Sequence, residues 1–240
     1  MNFDLNEDEE MLKALAERFV ADNYDFDSRR GYLNGANGFS PEMWAMLGEL
    51  GLIAAPLTEE SGGMSLDATA IATVFEALGA GLVVEPLIEN VMVAARLFER
   101  VAPDDIKAAW MEALAMGSRR IALAHAEHRA RGGRTFVETG VDANGALTGA
   151  KSCVPAGSGV DGYIVSVRES GAPASADGVA MYFVAADAPG LSVNPWRMVD
   201  GTVAVSLTLS AVPAVRLGGS LADLAENDLL ASLARSAEAM

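Results

Sequence analysis

The chain has 240 residues, 51% of them hydrophobic, and a formal net charge of -16 at pH 7. This apolar content is enough for one or two folded domains, while the negative charge argues against a nucleic-acid partner, because that affinity depends on Lys and Arg at phosphates. No apolar run reaches the roughly 18 residues of a membrane span, and residues 1–10 are acidic where a signal peptide would be basic. Cys153 is the single cysteine, which fits a reducing compartment. We therefore expect a cytoplasmic protein with no membrane partner.

Helix signals fill the first half of the chain. Asn6 and Glu9 have the spacing of a capping box ahead of a first helix, and Ser40 followed by Pro41 begins a second. Further helices are expected from Ser65 through Ala80, over residues 86–101 and over residues 103–116. The sequence thus predicts an all-α N-terminal domain over residues 1–118.

Short β-rich segments then follow, separated by Gly, Asn, Asp and Pro. The predicted strands cover residues 121–126, 136–141, 163–167, 179–184 and 203–209. Asn144 and Gly145 are typical of a hairpin turn. We expect a small antiparallel β-barrel or sandwich over residues 119–217, which makes the fold class α+β.

A last helix begins after Ser220, a good N-cap, and continues to the end of the sequence. Its apolar residues recur at helical spacing and need a surface to pack against, because a helix of this length gains most of its stability from the face it buries. They are Leu221, Leu224, Leu230, Leu233, Ala237 and Met240. Residues 218–240 are therefore predicted to be the first helix of a C-terminal four-helix bundle that is otherwise missing from this chain.

Four sequence motifs identify a family resemblance. They are Phe3-Asp4-Leu5, the run from Trp44 to Leu52, the turn from Glu59 to Gly63, and Glu76-Ala77-Leu78-Gly79 ahead of Glu85-Pro86. With them, essentially the whole chain resembles the acyl-CoA dehydrogenase superfamily. Residues 22–33 and 122–131 are most similar to the small subunits of two-subunit members, such as the pimeloyl-CoA dehydrogenase small subunit.

The resemblance implies an FAD-dependent oxidoreductase of fatty acid β-oxidation that forms the Cα–Cβ double bond of an acyl-CoA thioester. A glutamate removes the α-proton and a hydride passes to the flavin, which requires a polarised thioester carbonyl and a desolvated base. It also implies an oligomer, homomeric or with a large acyl-CoA dehydrogenase subunit, and an electron-transfer flavoprotein as acceptor.

Several cofactor positions depart from the family pattern. Ala126 stands where a Thr usually precedes the Glu matched by Glu127, so the backbone amide toward the flavin remains and the hydroxyl does not. Arg131 and Gly132 replace a Gly and a Ser, and Cys153 and Pro155 stand where a Trp and a Thr or Ser line the flavin ring. The resemblance assigns cofactor contacts to Ala126, Glu127, Gly132, Cys153 and Pro155.

Substrate contacts also follow from the resemblance. Arg131, with Arg129 and His128, is a candidate for a phosphate of FAD or CoA, and a solvated charged turn is the alternative. Val91, Ala95 and Phe98 would line an acyl pocket, although ordinary helix packing demands the same residue types.

The catalytic base and a metal site find no matching residues. The early position of the family base falls near Ala231, so we expect the base in the missing C-terminal domain or in a partner. Glu226 and Asp228 are interpreted as charges at a helix N-terminus. We predict no metal site, because along a strand His125 and Glu127 would lie on one face and His128 on the other.

Three functions stay open at this point. The first is an FAD-linked acyl-CoA dehydrogenase subunit, and the second is a non-catalytic subunit that completes the active site of a large partner without holding FAD itself. The third is a relative that uses the same scaffold as a flavin monooxygenase or nitroalkane oxidase.

Overall fold

The computed structural model describes residues 5–240, so Phe3 and Asp4 of the first family motif lie outside the described residues. The N-terminal part is helical, and the π-helical segment in it continues directly into the next α-helix. Its elements are α1 Glu7–Asn23, α2 Phe26–Leu33, α3 Pro41–Glu49, α4 Ala68–Ala80, the π-helical segment Leu87–Ala95, α5 Arg96–Val101 and α6 Asp104–Ala115.

Two predicted caps are confirmed and a third helix start is wrong. The Asn6 side chain accepts from Glu9 N, and the Glu9 carboxylate accepts from Asn6 N, both at 2.9 Å. The Ser40 hydroxyl accepts from the amide of the third residue of α3 at 3.2 Å. Helix α4 begins after Asp67 rather than Ser65, because the Asp67 carboxylate accepts from two free amides at 2.7 and 2.9 Å.

An eight-stranded, antiparallel-dominated sheet follows the helices. The strand order is β6-β7-β3-β2-β4-β5-β8, and β1 pairs in parallel with β4 outside this path. The strands are β1 Ile121–Ala124, β2 Gly140–Val141, β3 Ala146–Pro155, β4 Gly162–Arg168, β5 Val179–Ala185, β6 Leu191–Arg197, β7 Val203–Pro213 and β8 Val215–Gly218. The predicted fold class, helices followed by an antiparallel-dominated sheet and a final helix, is confirmed.

Three strands lack a clear signal in the sequence. Strand β6 lies at the edge of the sheet and is exposed along most of its length, so it has no buried face to produce an apolar alternation. Strand β3 is rich in small and polar residues, and β8 is only four residues long. Conversely, the segment predicted as a strand over residues 136–141 pairs only at Gly140–Val141.

The last helix, α7 Leu221–Glu238, packs against α4 and the π-helical segment. The Asn227 side chain donates to the carbonyls of Met92 and Val93 at 3.2 and 2.9 Å. A Cβ at Gly79 would collide with the Glu238 carbonyl oxygen, so α4 and α7 approach closely. The fully buried residues of α7 are Asn227, Ala231, Ala234 and Ala237.

The buried face of α7 is therefore rotated from the stripe that the sequence suggested. Leu233 is half-buried, and Met240 and Leu229 are largely exposed. Small residues form the contact because they allow the helix backbones to come close, and the chain's own N-terminal helices cover this face. No helix within residues 5–240 is long and apolar enough to cross a membrane.

Arg120 joins the helical part to the sheet. Its buried guanidinium donates to Asn90 Oδ1 at 3.1 Å and to the carbonyls of Ser158 and Gly159 at 3.1 and 2.8 Å. It also lies 4.6 Å above the centre of the Phe39 ring. Burial lowers the pKa of Arg120 to about 10, so this cation stays charged at neutral pH.

A buried carboxyl, Glu85, connects α1 to the segment before the π-helix. It accepts from the Tyr24 hydroxyl and, at 3.2 Å, from Ser40 N. Burial raises the pKa of Glu85 above its ordinary value of 4.5, despite these hydrogen bonds. Between pH 4.5 and the raised pKa of Glu85, the native protein therefore holds a proton that the unfolded chain releases. The stability that Glu85 contributes falls as the pH rises through this range.

We expect Glu85→Gln to remove this pH dependence, since Gln does not titrate and resembles the neutral carboxyl: its carbonyl oxygen can accept from Ser40 N, and its NH2 can donate to the Tyr24 hydroxyl. The free energy of unfolding of the wild type minus that of Glu85→Gln should decrease from pH 4.5 upward, as measured by urea unfolding at a series of pH values. A difference that stays flat or rises with pH would contradict the raised pKa. Exposed Glu112→Gln serves as the control.

Candidate functional site

Two adjoining cavities form a groove along α7. The first, the Leu221 chamber, has a volume of about 290 Å³, and the second, the Glu89 chamber, about 260 Å³. They share Leu123, His125 and Asp228. The remaining lining is Arg134, Thr135, Leu221, Leu224 and Ala225 in the Leu221 chamber, and Glu89, Val93, Ala126, Cys153, Pro155 and Arg235 in the Glu89 chamber.

Three of the five predicted cofactor residues meet in the Glu89 chamber: Ala126, Cys153 and Pro155. Ala126 and Cys153 face each other in an isolated antiparallel bridge, and Ser152 N donates to the Ala126 carbonyl at 2.9 Å. Pairing of the segment after β1 with β3 therefore brings together positions 27 residues apart. Their side chains are small or flat, which leaves an open wall on this side of the chamber.

Glu127, in contrast, points into the protein. Its carboxylate lies 2.7 Å from Lys151 Nζ and accepts from Glu138 N at 2.7 Å and from the Thr139 hydroxyl at 2.8 Å. Burial opposes its ionisation, but Lys151 and these hydrogen bonds lower the pKa of Glu127. Burial likewise lowers the pKa of Lys151, to about 8, against the attraction of Glu127. The pair anchors the backbone beside Ala126.

His125 lines both chambers, and both of its ring nitrogens have protein partners. Nε2 lies 2.9 Å from the Arg134 carbonyl oxygen, which can only accept, so Nε2 carries the hydrogen. Nδ1 then accepts from the Ser166 hydroxyl at 2.9 Å, and Lys151 Nζ donates to the same hydroxyl at 3.0 Å. Burial and the nearby Lys151 charge lower the pKa of His125. The imidazole is therefore held neutral in one tautomer, with no ring nitrogen left for a metal.

The basic segment of residues 128–134 forms a turn beside the groove. Arg129 pairs with Glu138, whereas His128 and Arg131 are exposed. Arg134 reaches across to α7, where its guanidinium lies 2.8 Å from the Asp228 carboxylate. Gly132, another predicted cofactor residue, is exposed with a φ of 84°, and a Cβ at this position would meet open space. It therefore lies outside both chambers.

The predicted acyl-pocket residues lie in the helical core. Val91, Ala95 and Phe98 are buried, and the Phe98 ring packs against Trp110 and Phe183. From the same part of the chain, Glu89 and Val93 line the Glu89 chamber instead. The π-helical geometry determines which side chains of this segment face the chamber. A sequence pattern interpreted as an α-helix does not show this arrangement.

The sequence reasoning missed three charged groove residues, Glu89, Arg134 and Arg235, and gave a fourth, Asp228, a different role. Asp228, interpreted as a helix-terminus charge, is held by Arg134 and, at 3.3 Å, by Arg235. Glu89 is the one charged residue in Leu87–Ala95, and this interruption of an apolar run was the signal available in the sequence. Ala231, near the early base position, is fully buried.

A larger cavity, of about 630 Å³, lies on another side of α7. Thr58, Arg96 and Leu230 are among its lining residues, and Arg100 pairs there with Glu226. None of the cofactor positions converges on this cavity, so its size alone does not make it the functional site.

The chain is similar in sequence and in fold to known acyl-CoA dehydrogenases. The family model described as "Acyl-CoA dehydrogenase, N-terminal domain" matches residues 6–118. The chain is 27% identical over 188 residues to "Acyl-CoA dehydrogenase FadE27" of Mycobacterium tuberculosis, which covers 78% of this chain and 46% of that protein. It thus spans about half the length of the curated relatives it matches.

Two solved structures have the same fold. A variant of the Tcur3481-Tcur3483 steroid ACAD superposes with a TM-score of 0.84 and 27% identity, covering 97% of this chain and 62% of that chain. The ChsE4-ChsE5 complex from Mycobacterium tuberculosis superposes with a TM-score of 0.84 and 24% identity, covering 99% and 64%. The second likeness concerns the fold alone.

Proposed function

We propose that this chain acts in FAD-dependent α,β-dehydrogenation of an acyl-CoA thioester, as a subunit of an oligomer. Residues 6–118 belong to the acyl-CoA dehydrogenase N-terminal domain family, and the chain has the fold of that superfamily. The convergence of Ala126, Cys153 and Pro155 on one chamber supports this proposal most directly. These positions were assigned to the flavin from the sequence alone, and two distant segments bring them together.

The residues of this wall fit a flat ring system. Ala126 is exposed to the chamber, Cys153 is half-buried, and Pro155 presents a flat apolar surface. FAD, when bound, would supply the acceptor for the β-hydride. The chain's own contribution is to stack against the ring, to exclude water with Leu123 and Val93, and to fix the Ala126 backbone through the neighbouring Glu127–Lys151 pair.

The basic turn is the proposed contact for a phosphate of FAD or CoA. In a chain whose formal net charge is -16, exposed Arg131 supplies a positive charge beside the groove, and exposed His128 lies in the same turn. Arg side chains bind phosphates well because their donors match the phosphate oxygens. Arg129 is already paired with Glu138 and serves to hold the turn.

Two observations favour the second candidate, a supporting subunit that relies on a large partner. The position of the early family base falls near Ala231, which is buried against the N-terminal helices. Pro155 offers no amide to a cofactor. In this reading the base and much of the FAD contact come from a large acyl-CoA dehydrogenase subunit, and electrons pass from the complex to an electron-transfer flavoprotein.

Alkylation of Cys153 tests whether FAD occupies the proposed wall. As the single thiol, Cys153 reports directly on this chamber. FAD is expected to slow the reaction of Cys153 with iodoacetamide, measured by mass spectrometry. A subunit that binds FAD itself should show this protection in the isolated chain, and a supporting subunit only after co-expression with a large subunit. Ala126→Leu places a larger side chain on the wall and should weaken this protection by about tenfold, the equivalent of about 1.4 kcal/mol.

The matched control is Ala143→Leu, the same change at an exposed hairpin position. It should leave the protection unaltered. Protection only in the co-expressed complex favours the supporting role, and a lack of protection in both preparations rules out FAD at this wall.

A further inference from the structure

Glu89 presents a carboxyl group to the groove, and no other residue within 5–240 forms a hydrogen bond with it. It is half-buried on the π-helical segment and lines the Glu89 chamber. Among residues 5–240, its carboxyl contacts its own backbone and feels the charges of Arg235 and Asp200 at longer range. A carboxyl group in such a position is costly unless something else satisfies it.

The walls around Glu89 supply apolar contact rather than hydrogen bonds. Val93, Leu123, Ala126 and Pro155 line the same chamber. The other charged groups there are committed elsewhere, because Asp228 and Arg235 pair with each other and Asp228 also pairs with Arg134. The chamber therefore combines an apolar surface with a few polar groups, among them the Glu89 carboxyl, which is the usual composition of a selective small-molecule site.

Glu89 keeps its proton to a higher pH than a glutamate in water does. Burial raises the pKa of Glu89, while the charge of Arg235 acts in the opposite direction. On α7, burial and the proximity of Glu89 raise the pKa of Glu238 to about 7. A neutral carboxyl both donates through its hydroxyl and accepts through its carbonyl oxygen, so it can pair with a hydroxyl or a keto group.

We propose that Glu89 selects acyl chains that carry a hydroxyl or keto oxygen, by hydrogen bonding that oxygen inside the groove. The ligand class is an acyl thioester with an oxygen-bearing hydrocarbon part, and the thioester portion of this inference rests on the proposed function. A plain hydrocarbon chain would cover Glu89 and leave its carboxyl without water or a partner. Sites that hydrogen-bond a ligand group reject analogues lacking that group more strongly than apolar pockets reject size changes.

The test measures occupancy of the groove through the rate of Cys153 alkylation in the isolated chain without added FAD, because FAD at the same wall would itself slow this reaction. Octanoyl-CoA is compared with a series of octanoyl-CoA derivatives hydroxylated at single positions along the distal half of the chain. At least one hydroxylated isomer is expected to protect Cys153 at a concentration about tenfold lower than octanoyl-CoA does.

Two substitutions separate hydrogen bonding from shape. Glu89→Gln keeps a donor and an acceptor and should retain the preference for the hydroxylated chain. Glu89→Leu has a similar volume without polar atoms and should abolish or reverse the preference, with octanoyl-CoA binding tighter than to the wild type. Glu112→Leu, an exposed change on α6, should leave both affinities unchanged.

The same acyl series attached to N-acetylcysteamine, which lacks the nucleotide, separates this inference from the proposed function. If these small thioesters show the preference and the CoA forms do not bind, the role of Glu89 stands and the CoA part of the proposed function is wrong. The inference is overturned if no hydroxylated isomer is preferred in either series, if Glu89→Leu keeps the preference, or if no thioester protects Cys153.

Discussion

Replacing Arg120 with methionine is expected to reduce the free energy of unfolding by about 3–5 kcal/mol, because three acceptors lose their buried donor and each unsatisfied group costs about 1–3 kcal/mol. The substitution retains an apolar chain of similar length but removes every donor. Asn90 Oδ1 and the carbonyls of Ser158 and Gly159 then lose their buried partner, and such unsatisfied groups are penalised individually. Because these acceptors belong to the π-helical segment and to the loop before β4, the loss also separates the helices from the sheet.

Urea unfolding followed by tryptophan fluorescence provides the measurement, since the centre of the Trp44 ring lies 5.8 Å from the Arg120 guanidinium. The neighbouring Arg119→Met is the control, because Arg119 is exposed and only stacks on Trp110. Its expected cost is below about 1 kcal/mol. Equal costs for the two substitutions would show that the buried guanidinium has no special role.

Lys151→Met is expected to destabilise the protein by a similar amount, about 3–5 kcal/mol, because Glu127 is left as a buried charge without its counter-ion. Lys151 also donates to the Ser166 carbonyl at 2.8 Å and to the Ser166 hydroxyl, so the change disturbs the hydrogen bond from Ser166 to His125 as well. The substitution thus affects stability and the wall of the groove together.

A double substitution distinguishes an unpaired charge from simple loss of packing. Adding Glu127→Gln to Lys151→Met removes the buried charge and keeps one acceptor oxygen, which can still accept from the Thr139 hydroxyl, so the double variant should be more stable than Lys151→Met alone. Lys13→Met, at a largely exposed pair with Glu17, should cost less than about 1 kcal/mol. If the destabilisation of the double variant equals the sum of the destabilisations caused by Lys151→Met and Glu127→Gln alone, the two residues do not act as a coupled pair.

Local signals in the sequence predicted the elements that depend on local chemistry. The capping box at Asn6, the Ser40-Pro41 start and the cap at Ser220 each act within a few residues, and the structure contains all three. The start of α4 was wrong because Ser65 and Asp67 both have capping side chains, and only the geometry of the preceding turn decides between them. Helix α2 has no buried residues, so it produced no apolar stripe.

Long-range pairing explains what the sequence left open. The edge strand β6 is identified only by its seven-residue pairing with β7, and the buried face of α7 is determined by close contact at Gly79. In the groove, Ala126, Cys153 and Pro155 line one chamber, and their contact with a flavin, which the resemblance supplied, stays a prediction. Glu89 was missed because its direction depends on a π-helical turn, which residue spacing interpreted as an α-helix cannot reveal.

The π-helical segment Leu87–Ala95 has a consequence for how relatives of this protein can diverge. Its i to i+5 pairing holds more residues in each turn than an α-helix does. Deleting a single residue there would allow ordinary i to i+4 pairing and would swing the preceding side chains around the helix axis, carrying Glu89 away from the groove and Asn90 away from the Ile121 carbonyl. The ligand preference proposed for Glu89 would then change in such relatives by the deletion of one residue rather than by a substitution.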